Sequence, residues 1–113
     1  MLEKISHMVL LKDFYGPLLT EKQQDVLHMH YENDWSLSEI ASIMKTSRQA
    51  VYDLLKRSET LLEEYEQKLG LVNKFQQTRN RLEQLSVILE DSAIDKRSVS
   101  QALKILKEIT GLL

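Results

Sequence analysis

Cysteine is absent from this sequence, proline occurs once and glycine three times, and aromatic residues make up only 6%. Without cysteine there is no disulfide framework, no thiolate metal site and no cysteine nucleophile. The longest uninterrupted apolar run is Met8 to Leu11, far short of the roughly 20 residues that span a bilayer. No membrane span is therefore expected. The early acidic Glu3 argues against a signal peptide, and the cytoplasm is the expected location. A basic excess is also missing, because 15 Lys and Arg face 17 Asp and Glu for a net charge of −2. What is present is ordinary for a folded chain: 42% apolar and 28% charged residues over 113 positions.

Catalysis requires a constellation, and none is visible. His28 and His30 stand two apart on a helical segment and so point about 200° away from each other, wrong for a shared metal. The pair Glu63-Glu64 has no histidine at helical spacing and reads as a solvated face. There is no glycine-rich phosphate loop and no strand-borne nucleophile. The expectation is a protein without enzymatic activity, cofactor or metal.

The few glycines and the proline punctuate the chain at Gly16-Pro17, Gly70 and Gly111, and everything between reads as helix. A first helix is expected over about 2–15. Three more open on capping-box patterns at Thr20-x-x-Gln23, Ser36-x-x-Glu39 and Thr46-x-x-Gln49, the last running to about Leu69. A fifth helix follows to about Glu90, and a sixth from about Asp95 to Leu112 is striped by Val99, Ala102, Leu103, Leu106 and Ile109. The fold class is all-α: a wingless trihelical helix-turn-helix core over 18–69, an N-terminal helix over 1–17 and a two-helix extension over 70–113. Trp35, between the second and third helices, is expected to pack over the core. The apolar stripes at the two chain ends exceed what a small monomer buries easily, so a homodimer through the end helices is expected.

The window Ser36 to Leu55 has the layout of a helix-turn-helix. Ala41 is small where the helices cross, Ile40, Met44, Val51 and Leu54 form the seam, and Lys45 occupies the left-handed position of the turn. With Leu19 to Leu27 before it and Leu54 to Leu62 after it, this segment resembles the promoter-reading C-terminal domain of sigma factors. Those domains run L-x-x-x-Q-x-x-V-L, then S-x-x-E-I-A, then S-R-x-x-V. The whole chain, with its prefix 1–15, its Ser47 to Asp53 recognition segment and its helical tail, looks like the YlxM family of small bacterial helix-turn-helix proteins. That resemblance implies a role in the signal recognition particle pathway, with the particle's RNA, its targeting GTPase or that GTPase's receptor as partner.

Stepping 100° per residue from Val51 puts Leu54, Leu55 and Ser58 on the packing face and Gln49, Tyr52, Asp53, Lys56 and Arg57 on or beside the opposite one. With Lys45, Ser47 and Arg48 at the helix entrance, the candidate nucleic-acid-binding set is Lys45, Ser47, Arg48, Gln49, Tyr52, Lys56 and Arg57. Gln49 suits an adenine edge, Arg57 or Lys56 guanine or phosphate, and Tyr52 a thymine methyl or a stacked base. Residues 20–68 carry 10 acids against 6 bases, yet Lys45 to Arg57 holds four bases against Asp53 alone. A narrow basic strip thus lies in an acidic domain, whereas phosphate binders usually show a broad basic footprint. Three readings stay open: a signal recognition particle regulator, a transcription regulator on duplex DNA, and a dimeric protein scaffold.

Overall fold

A computed structural model describes residues 2–90 and 95–112, and all the regular structure in it is helical. The α-helices are α1 (Leu2–Tyr15), α2 (Glu21–Leu27), α3 (Leu37–Met44), α4 (Arg48–Leu69), α5 (Leu71–Glu90) and α6 (Lys96–Leu112). The all-α expectation holds, with no strand among the described residues. The chain divides into two compact units between Gly70 and Leu71.

In the first unit α1 stops at a short 3-10 turn, Gly16–Leu18, where Pro17 lacks the N–H that another α-turn would use. The Thr20 hydroxyl caps α2 by accepting the Gln23 N–H, while the Gln23 side chain accepts the Thr20 N–H in return, a complete capping box. Past Leu27 the helix widens into a π-helical turn, His28–Glu32, closed by the Asn33 N–H donating to the His28 carbonyl at 3.0 Å. Asp34 follows at φ 57°, left-handed, and turns the chain toward α3. Ser36 and Glu39 form the second capping box.

Helix α4 is the spine of this unit, with α1, α2 and α3 all packed against it. Its Val51, Leu55 and Leu62 are buried together with Met8, Leu11 and Tyr15 of α1, Val26 and Leu27 of α2, and Ile40 and Ala41 of α3. Each large side chain in that cluster contributes about 1.5–3 kcal/mol by leaving water. Met8 and Tyr15 of the N-terminal stripe, with Leu11, are therefore covered inside their own unit, while Ile5, Val9 and Phe14 stay half-buried.

Gly70 closes α4 in the left-handed region, φ 63°, its N–H donating to the Glu66 carbonyl at 2.8 Å. The second unit consists of α5 packed along α6. Gly111 differs from the sequence reading: α6 continues through it to Leu112. A helix tolerates glycine at a cost of about 1 kcal/mol relative to alanine, so this residue weakens the last turn without ending it.

Candidate nucleic-acid interface

The turn between α3 and α4 is built from backbone hydrogen bonds. Lys45 adopts φ 55°, ψ 50°, the left-handed conformation expected of it, and its N–H donates to the Ala41 carbonyl. The Thr46 N–H reaches that same carbonyl at 3.0 Å. Thr46 thus belongs to the end of α3, so the N-cap of α4 falls one residue later than expected and the expected capping box does not form. Ser47 is the N-cap of α4, its hydroxyl oxygen accepting the Ala50 N–H at 3.0 Å, and no reciprocal Gln49 contact forms. Ile40 and Val51 are fully buried where the helices cross, Ala41 nearly so, and Met44 and Leu54 are half-buried.

All seven candidate residues lie on the exposed side. Lys45, Ser47, Arg48, Gln49, Tyr52, Lys56 and Arg57 all face solvent, with Tyr52 44% exposed. They differ in what already engages them. The Gln49 amide donates to the Asp53 carboxylate at 3.0 Å, one turn along the helix. The Lys56 ammonium lies 3.5 Å from a Glu59 oxygen and 5.7 Å from the centre of the Tyr52 ring, a cation–π arrangement over that ring. Among the described residues Lys45, Arg48 and Arg57 have no ion-pair partner. The strip therefore presents three uncommitted cations around two pre-oriented polar side chains.

Glu59 is the residue the sequence pattern does not reveal. It is 7% exposed, and its carboxylate accepts the Tyr31 hydroxyl from the π-helical turn while also meeting Lys56. Burial, and then the Glu59 contact, push the Tyr31 hydroxyl well above the ordinary phenol range. The only sequence signal is adjacency: Glu59 follows Ser58, which is fully buried and donates to the Leu54 carbonyl at 2.7 Å. On the far side of the π-helical turn, the Lys12 ammonium at 3.0 Å and His28 at 2.7 Å hold the Glu32 carboxyl below its usual range. The Ser36 N–H does the same for Glu39.

His28 and His30 serve separate partners, Glu32 and the Trp35 carbonyl, the latter at 3.2 Å. Trp35 is half-buried. Among the described residues no three His, Asp or Glu side chains gather as a metal site, and no helix is long and apolar enough to cross a membrane.

A family model described as "Putative helix-turn-helix protein, YlxM / p13 like" (UPF0122) matches residues 2–109. The chain is 47% identical over 102 residues to the UPF0122 protein of Thermoanaerobacter sp. (strain X514), covering 90% of this chain and 86% of that one. It is 47% identical over 108 residues to the UPF0122 protein of Halalkalibacterium halodurans, covering 96% and 94%. With the UPF0122 protein of Geobacillus sp. (strain WCH70) the identity is 45% over 113 residues, covering 99% of each. The turn geometry, the seam and these similarities agree: the chain belongs to the UPF0122 family of YlxM / p13-like helix-turn-helix proteins.

Proposed function

We propose that this protein is a non-enzymatic regulator that grips a nucleic-acid duplex with the N-terminal half of α4 and the turn before it. The observation that carries this reading is the set of uncommitted cations Lys45, Arg48 and Arg57, exposed at the turn and along the N-terminal half of α4. In that reading the cations hold phosphates, which sets register but carries no sequence information. Gln49 and Tyr52 are the side chains placed to meet base edges. The acidic remainder of the domain limits non-specific attraction, so binding is salt-sensitive and moderate.

The resemblance to YlxM proteins supports the signal recognition particle pathway as the setting and that particle's RNA as the duplex. A second reading, a transcription regulator on duplex DNA, is favoured by the sigma-like order of Ser36 to Val51 and by Gln49, whose amide suits adenine. Titration of the full chain against signal recognition particle RNA and against random genomic duplexes, at low and physiological salt, tests both. RNA binding that weakens linearly in log salt is expected. Enrichment of one DNA sequence favours the second reading, and loss of every nucleic-acid complex at moderate salt overturns both in favour of a protein scaffold.

A further inference from the structure

The second unit buries little of its own apolar surface. Its two helices, α5 and α6, pack on each other along one side only. The chain has no cysteine, and the described residues hold no metal cluster. Only Val72, Ala102 and Ile109 are buried among the described residues of this unit.

Its exposed surface is not uniformly polar. On α5, half-buried Arg81, Leu85 and Ile88 turn toward α6, and Leu82 and Leu89 follow next around the helix, 48% and 55% exposed. On α6, Ala102, Ile105 and Ile109 turn toward α5, and Val99, Leu103 and Leu106 follow next around, 46%, 54% and 44% exposed. Two right-handed helices running antiparallel place both flanks on the same side of the pair. The Arg81–Glu108 ion pair, 2.8 Å, closes the other side. The result is one apolar face of five side chains rimmed by Arg79, Glu83, Lys96 and Lys107.

We propose that this face is covered by the same face of a second copy of the chain, giving a four-helix bundle from two α5–α6 pairs. Five half-exposed apolar side chains with their polar rim offer on the order of 600–800 Å² per copy, against about 800 Å² per partner in a stable interface. Four helices also supply the enclosed layer that two cannot. Isologous pairing of this face uses no residue of the α3–α4 strip. The assignment is independent of the nucleic-acid reading and places the dimer contact on α5 and α6, not on α1.

The test is the mass of the full chain in solution, by light scattering at micromolar concentration, for the natural protein and for the double variant Leu82→Glu, Leu103→Glu. The natural chain is expected at twice its 13.2 kDa mass. The variant is expected at the single-chain mass with helical content retained by circular dichroism. A natural chain at the single mass overturns the proposal, and so does a helical variant that still dimerises. Should the variant lose its helices, Ser86→Cys in the otherwise cysteine-free chain decides: Ser86 adjoins Leu82 and Leu89 on the rim. Joining of two copies by a flexible bis-maleimide long enough to span rim positions across the two-fold axis supports the face, and its absence overturns it.

Discussion

The Tyr31 hydroxyl donates to the buried carboxylate of Glu59, joining the π-helical turn after α2 to the middle of α4. The other oxygen of that carboxylate faces Lys56, which in turn lies over Tyr52. A buried acid thus fixes two things together: where the second helix ends against α4, and which way the C-terminal part of the basic strip points. Lys45, Arg48 and Arg57 lie outside this chain of contacts.

Tyr31→Phe removes the phenolic donor and leaves a buried carboxylate short of a partner. It is expected to lower the unfolding free energy by about 1–3 kcal/mol in urea titration. The raised Tyr31 hydroxyl also sets a pH dependence. Its stabilising effect is complete below the ordinary phenol range near pH 10 and is lost as pH rises through the still higher folded value. Tyr31→Phe should remove that alkaline component, and an unchanged alkaline limb in the variant would contradict the assignment.

Glu32 works in the opposite direction. Lys12, then His28, hold its carboxyl low, so its contribution is present above the unfolded value of about 4.3 and is lost as pH falls through the folded one. Lys12→Ala or Glu32→Gln should make stability fall less steeply as pH drops through the acid range, read by urea titration at several pH values. Because the pair is partly solvated, the loss at neutral pH is expected to stay within about 1 kcal/mol.

Lys45 holds a left-handed backbone that a side chain disfavours by roughly 1 kcal/mol. Lys45→Gly is expected to raise thermal stability slightly while weakening duplex binding by one cation. A variant at this site that gains stability and keeps full affinity would remove Lys45 from the interface.

Much of the first unit is legible because its signals are local. The hydroxyls of Thr20 and Ser36 with Gln23 and Glu39 three residues on announce two helix starts, and the 100° step from Val51 sorts α4 into a buried and an exposed side. Thr46 misleads because two adjacent hydroxyl residues compete for one cap. The left-handed Lys45 ties Thr46 to the Ala41 carbonyl and hands the cap to Ser47. Glu59 stays hidden because its burial depends on Tyr31, 28 residues earlier, and an apolar stripe cannot mark a charged residue. The cover over Met8, Leu11 and Tyr15 is not readable locally, because α4 lies about fifty residues away along the chain. Within the strip, exposure is readable but commitment is not, since Lys56 is engaged by that same hidden Glu59.

The proposed grip of Arg48 and Arg57 on a duplex is electrostatic. It is tested most directly by salt-dependent titration of the natural chain and of Arg48→Ala, Arg57→Ala against the duplex that binds best. Removing one phosphate-binding cation should lower the slope of log affinity against log salt by about 0.9 on B-DNA, with RNA giving a comparable fall. The double variant is expected to keep its fold, with a slope reduced by nearly two and little remaining affinity at physiological salt. An unchanged slope and affinity in that variant would contradict the proposed grip.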